Sequence, residues 1–464
     1  NTYLFNSRFK QNAIKFSLGY RHKNWQNIFM AQIHAETLGL PGHVHGDPSK
    51  VNLTEITSSE LNLSSDFNPT RPTQFVNNQL LIYETNYMIN NFKFEFYAGH
   101  FINNLKEYEK WTRPAFDLSL SNTLLSPSLR YISNKLTLQI GSQFVFQENK
   151  NNINDRLVPD ASSFNLGPYA LIEYEKNNFG VNSGIRYDYK RLSSDDQVLD
   201  LDYDNSFNST SFSSGIYYRF IDHILRMTFS GAYRSPHVSE LFSDGVHHGT
   251  SRYEIGDKKL GIEYANQIDL KYQWSNDHLG IVINPFIQNI SDFISLVPTD
   301  SVISGYKVYN YMQYNKVEIN GVEMNLHYHP HQMHNLHFEQ SYSFLQASNN
   351  SKHGLALVPA NSIKNKILFK FNDYERLLKF DYLSIYHTYK FKQDSYAEYE
   401  ELTDSYNVIN LQIGLKFSSQ FHCSLGLNNI FNETYTPHIS RVRGIAGGVP
   451  NPGRFFNITL KHEF

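Results

Sequence analysis

The sequence predicts an all-β fold, a single large antiparallel transmembrane β-barrel of about twenty strands. Three observations predict it. Apolar residues recur at every second position along most of the 464 residues. Aromatic residues make up 15% of the chain, with 32 Tyr and 34 Phe, yet they stand singly and not in buried runs. The connections between alternating segments switch between very short and long. Charged residues amount to only 18% and mean hydropathy is -0.47, a balance that suits a wall with one apolar and one wet face.

In chain order, the clearest strands show what the wall is made of. Over 179–190 the outward set is Phe179, Val181, Ile185, Tyr187 and Tyr189, opposite Asn182, Arg186, Asp188 and Lys190. Over 267–274, Ile268, Leu270, Tyr272 and Trp274 oppose Gln267, Asp269, Lys271 and Gln273. Over 409–417, Ile409, Leu411, Ile413, Leu415 and Phe417 oppose Asn410, Gln412 and Lys416. The last strand, 454–464, sets Phe456, Ile458, Leu460 and Phe464 against Asn457, Thr459, Lys461 and Glu463. His462, on its apolar face, is expected at the membrane interface.

Alternation alone does not say which face is out, since a sandwich also alternates. Connection length decides. Short turns are expected near Asn90, Asn134, Asn177, Asp222, Asn276, Pro330, Asn372 and Ser418, and long loops at about 41–72, 151–161, 194–209, 236–264, 349–361, 391–405 and 436–452. A short, long, short order is that of an outer-membrane meander with tight periplasmic turns and large external loops.

Composition also excludes classes. Net charge is -3 with no long basic run, which gives no reason to expect a nucleic-acid partner. No stretch approaches the roughly 18 apolar residues of a transmembrane helix, so any insertion into lipid must be by strands. The single cysteine, Cys423, rules out an internal disulfide framework and reads as a small wall residue between Phe421 and Leu425. No G-x-S-x-G, H-E-x-x-H, P-loop or G-x-G-x-x-G motif occurs, and no enzyme activity is expected.

The longest interruption of the strand pattern, 231–263, carries the most specific motif. Arg234-Ser235-Pro236, Glu240-Leu241-Phe242, then Glu254, Gly256, Leu260 and Glu263 resemble the R-x-P-x-x-x-E-L-F/Y and E-x-G-N-x-x-L-x-x-E blocks of TonB-dependent outer-membrane receptors, with Asp257 in place of the usual Asn. Gly321-Val322-Glu323, the run from Gly426 to Phe431 with Tyr435 after it, and Pro452-Gly453-Arg454 are similar to further blocks of that family, in the same order. The resemblance implies a 22-stranded barrel in the outer membrane of a Gram-negative bacterium, coupled to the TonB complex through a plug domain and acting as a monomer. Residues 1–464 read as barrel throughout, with the plug and the first strands expected upstream of Asn1. The implied function is uptake of a scarce metal or metal chelate: zinc, a ferric siderophore or haem. No resident cofactor is required, and bound zinc or an iron chelate would be the transported ligand. The rival readings are a passive porin and a surface-binding barrel.

Candidate site residues follow from sidedness. Gly39-Leu40-Pro41-Gly42-His43-Val44-His45 resembles a loop of the zinc-uptake branch; His43 and His45 project to one side of an extended segment, and Asp47 could add a carboxylate ligand. In the 231–263 loop, His247, His248, His237 and Glu240 are candidate ligand contacts, weighed against a purely architectural role for Arg234, Pro236, Glu240 and Gly245. Adjacent His247 and His248 point to opposite sides, so convergence with His43 or His45 would be needed for a three-ligand site. The densest histidine run, His327, His329, His331, His334 and His337, flanks the Pro330 turn and falls on the periplasmic side, where it reads as a polar turn.

Overall fold

The computed structural model describes residues 8–40, 69, 72–109, 112–247, 252–349, 354–371, 379–418, 420–440 and 450–463. The first half of the wall comprises β1 (Phe9–His22), β2 (Trp25–Gly39), β3 (Thr73–Ile89), β4 (Phe92–Tyr108), β5 (Phe116–Ile132), β6 (Leu136–Asn151), β7 (Ala161–Lys176), β8 (Phe179–Asp196), β9 (Leu201–Phe220) and β10 (His223–Arg234). A short helix, α1 (Val238–Phe242), and the small strands β11 (Asp244–His247) and β12 (Arg252–Ile255) follow. The wall resumes with β13 (Glu263–Ser275), β14 (Leu279–Ile303), β15 (Tyr306–Tyr328), β16 (Leu336–Ser348), β17 (Ser362–Lys370), β18 (Lys379–Lys390), β19 (Tyr406–Lys416), β20 (Phe421–Asn428) and β21 (Phe455–His462).

Each wall strand pairs antiparallel with the next in sequence, and β10 passes over β11 and β12 to pair directly with β13, Arg234 opposite Glu263. Of the 21 strands among the described residues, then, β11 and β12 belong to a loop and the rest make one continuous meander. No helix among the described residues is long and apolar enough to cross a membrane; the crossing elements are strands.

The faces are as the alternation requires. Ile268 and Leu270 are 45% and 42% exposed and Ile185 is 57% exposed, whereas Asp188, on the opposite face of β8, is 7% exposed. The apolar set therefore points outward, where lipid covers it, and the inner face is polar. Asp188 takes both oxygens to Arg186 Nε at 2.8 Å, and Arg186 Nη1 donates to Gln143 at 2.8 Å, so inward charges are paired along the lumen wall. At the short-turn end, Tyr20 and Trp25 meet edge to face at 6.4 Å, Phe92 and Tyr131 pack at 5.2 Å, and Phe220 stacks on His223 at 4.6 Å. Such a girdle anchors a barrel at the membrane interface.

Short turns occur at the expected positions among the described residues, and Asn90 and Asn177 adopt the left-handed φ (51° and 56°) that closes them, while the turn expected at Asn372 lies outside the described residues. The opposite end holds three features that the expected loops did not include. The 194–209 loop is strand: β8 runs to Asp196 and β9 starts at Leu201. Asp196 makes this turn, its Oδ1 accepting from Val198 N (3.0 Å) and Leu199 N (3.2 Å) while its Oδ2 pairs with Arg156. Likewise β14 and β15 extend far past the membrane to a tight turn at Ser304 and Gly305, both with positive φ. Finally, the 236–264 loop is not structureless but holds α1, β11 and β12. In all three, backbone pairing persists where there is no lipid to demand an apolar face, so the period-two pattern fades while the hydrogen-bond ladder continues.

The buried core lies among these external elements. Leu192, Phe207 and Ala161 pack with Val238, Leu241, Phe242, Leu260 and Ile294, joining the 231–263 loop to β7, β8, β9 and β14. A second cluster joins Ile290, Val317 and Ala347 to Leu355 and Val358 of the β16–β17 connection.

Candidate functional site

The loop between β10 and β13 is built outward from Arg234. The antiparallel register places Arg234 beside Glu263, and its Nη2 donates to Glu263 Oε2 at 3.0 Å. Its Nη1 donates to both oxygens of Glu240 at 2.8 Å. Pro236, fully buried, turns the chain inward, and His237 then caps α1: the Glu240 carboxylate accepts His237 N at 2.8 Å while His237 Nδ1 accepts Ser239 N at 3.4 Å. Lys190 Nζ reaches Ser235 Oγ at 2.9 Å. With Val238, Leu241 and Phe242 buried beneath, α1 is fixed on one side by apolar packing and on the other by Arg234.

The returning chain crosses α1 closely. A Cβ on Gly256 would lie 2.6 Å from Leu241 C and Phe242 N, which explains the glycine in that motif. Gly256 N donates to Ser243 O at 2.7 Å and Asp257 N to Glu240 O at 2.9 Å. Asp257 also accepts Lys259 N through Oδ1 at 2.9 Å, a turn role that Asn would fill equally.

β11 and β12 form a hairpin that projects from this base, and β12 pairs in parallel with the external part of β15, Glu254 opposite Tyr309. Glu254 is the hub, 2% exposed. Its Oε1 accepts from His247 Nδ1 at 2.8 Å and Arg252 Nε at 2.7 Å, and its Oε2 accepts from Tyr311 OH at 3.1 Å. Burial alone would raise this carboxyl, but the bonds and charge of His247 and Arg252 outweigh it and bring it down to about 2. Arg252 also lies over the Tyr309 ring at 5.3 Å.

The sequence candidates thus have these places. His237 and Glu240 sit at the cap of α1, engaged with the helix and Arg234; His247 stands at the end of β11, oriented by Glu254. His248 lies outside the described residues, as do His43, His45 and Asp47, so their convergence over the barrel mouth is not described. At the opposite end, the histidines flanking Pro330 are joined by His278 from the neighbouring turn, a partner that linear spacing gave no sign of.

A meander of this size, with paired charges inside, aromatic girdling and a loop closed by Arg234, Glu240 and Glu263, is matched over residues 3–430 by the family model described as TonB dependent receptor-like, beta-barrel. The chain belongs to that family. The receptor is accordingly a TonB-dependent transporter of the Gram-negative outer membrane, and not an enzyme. Among solved structures it is similar to the copper transporter OprC, with a TM-score of 0.79 at 14% identity over 99% of this chain and 72% of that one. It is also similar to the FrpB iron transporter from Neisseria meningitidis (F5-1 variant), with 0.74 at 14% identity over 98% and 73%. The siderophore receptor PirA from Acinetobacter baumannii matches with 0.73 at 15% identity over 98% and 71%. At these identities the likeness shows the shared barrel fold.

Proposed function

We propose that the receptor takes up a scarce transition-metal ion or metal chelate, zinc first, with ferric siderophore and haem as the competing cargoes. The observation that carries this is His247. An imidazole held through Nδ1 by a buried carboxylate is the arrangement proteins use to orient metal-ligating histidines, and here it sits on an external hairpin beside the lumen wall. The histidine-bearing 43–47 segment supplies ligands of the same chemistry in the first external loop. The cargoes named for similar barrels, copper for OprC and iron for FrpB, agree with that ligand class. Haem would use an exposed axial imidazole from the same residues.

The deciding experiment is calorimetric titration of the full-length receptor with Zn²⁺, haem and a ferric siderophore, before and after changing His43 and His45 to Ala. Zinc binding that weakens in the double variant supports the reading. Zinc binding untouched by those changes, or absent altogether, removes the metal-loop assignment. Ligand-independent conductance in a planar bilayer would favour a porin instead, and normal growth of a deletion strain on limiting zinc would favour a surface-binding barrel.

A further inference from the structure

The short-turn end carries a feature unrelated to the external loops. His278 closes the turn between β13 and β14, while His327, His329, His331, His334 and His337 occupy the end of β15, the turn beyond it and the start of β16. A backbone bond from His329 N to His278 O, at 2.9 Å, docks the two turns side by side. Bonds from Met333 N to Pro330 O (3.0 Å) and Leu336 N to Met333 O (2.9 Å) wind the second turn tightly. The rings consequently gather: His329 lies 5.0 Å from His278, 5.7 Å from His334 and 5.5 Å from His337, and His327 lies 5.4 Å from His337.

The cluster is on the inner side of the rim. On β15, His327 shares the face of Asn325, which accepts from Ser341 Oγ at 2.7 Å; on β16, His337 shares the face of Ser341 and of Glu339, which pairs with Lys366. Met324 and Tyr328, on the other face of β15, are exposed apolar residues facing lipid. The imidazoles therefore stand at the periplasmic mouth of the lumen.

We propose that these histidines form a binding site for one divalent transition-metal ion, of the borderline class that imidazole nitrogen favours, with His329 as the shared ligand. Ligand atoms of His278, His329 and His334 lie within 4.8 Å of one another, and so do those of His327, His329 and His337. Two nitrogens on one tetrahedral zinc, each bonded at about 2.0–2.1 Å, stand about 3.4 Å apart. His327 Nε2 and His337 Nδ1 are already 3.3 Å apart, and His331 Nδ1 and His278 Nε2 are 2.9 Å apart. His278 Nδ1 is buried with no hydrogen-bond partner among the described residues, a polar atom that a ligand would satisfy.

Because His329 belongs to both triads, the two are alternative positions for a single ion. Three protein ligands leave a fourth position for water or an incoming ligand, which suits exchange better than permanent retention. The binding site stands on its own geometry; its use as the first stop for metal leaving the lumen rests on the proposed function.

The test is titration of the full-length receptor in detergent with Zn²⁺, and with Co²⁺ read by its visible absorption, comparing His329→Ala, the milder His329→Gln and the external variant His43→Ala/His45→Ala. Migration shift on heating confirms that each variant keeps its barrel. The expected result is one metal equivalent lost, or weakened at least about tenfold, in both His329 variants and retained in the external variant. Titrations of folded His329 variants that overlay the wild type overturn the site. A receptor that keeps this equivalent but fails to import zinc retains the site and loses the proposed function.

Discussion

Arg234 and Glu240 are six residues apart yet belong to different elements, and the guanidinium of one bonds both carboxylate oxygens of the other at 2.8 Å. The same Arg234 bonds Glu263 on the next strand, so one side chain ties the end of β10, the start of α1 and the start of β13 together. Glu263 Oε2 additionally accepts Ile294 N at 3.0 Å, which extends the tie to β14.

Replacing Glu240 by Ala removes the fork and the carboxylate half of the α1 capping box at once, leaving Arg234 half satisfied. Hydrogen bonds to charged groups are each worth about 1.5–3 kcal/mol, and Arg234 is partly open to solvent, so a local loss of about 2 kcal/mol is expected. Hydrogen exchange should accelerate across 235–262 while the barrel strands stay protected. Uniform protection across that loop would show that apolar packing under α1 suffices.

The β11–β12 hairpin should loosen in acid. Glu254 titrates at about 2 in the folded hairpin against 4.5 without its partners. A depressed carboxyl stabilises the folded form above its unfolded value and ceases to do so as pH falls through the folded one. Proteolytic nicking within the described strands of that hairpin, Asp244–His247 and Arg252–Ile255, is therefore expected to rise between about pH 4.5 and about pH 2, with Glu254→Gln abolishing the dependence in that window.

Gly256→Ala should displace the loop without unfolding the wall. The added methyl would meet the α1 backbone at 2.6 Å, and backbone cannot yield as a flexible side chain does. Overpacking of this kind costs about 1–3 kcal/mol. Limited proteolysis of 235–262 is the measurement, and an unchanged cleavage pattern would contradict the close crossing.

Ile268→Arg should be costly in a bilayer. Ile268 lies mid-strand on the apolar face of β13, opposite Phe229 and Ile287 of its neighbours, and all three are exposed. A cation at mid-membrane on the lipid face costs about 2–4 kcal/mol. Urea-driven unfolding from phospholipid vesicles should show that loss, whereas Gln267→Arg, on the lumen face, should be near neutral.

Much of this architecture is legible residue by residue. Ile268 and Leu270 against Gln267 and Asp269 declare two faces, and Asn90 and Asn177 mark turns, because each pattern is enforced locally by the pleat and by left-handed backbone. The 194–209 segment was not legible, since its strands leave the membrane and its polar residues keep no apolar rhythm although Asp195 pairs with Asp202. Within the candidate site, Arg234, Glu240 and Gly256 were visible as a motif, but Glu254 as the partner of His247 and Tyr311 was not.

The sequence by itself determined the class of fold, the inside and outside of the wall and the end that carries the loops. Those depend on period and spacing along one strand at a time. Only the tertiary structure decided that β12 lies along β15, that Arg234 binds three elements, and that His278 joins the histidines beyond β15. These meetings are set by which strands neighbour each other and in what register, and register is a property of paired strands that no single segment encodes.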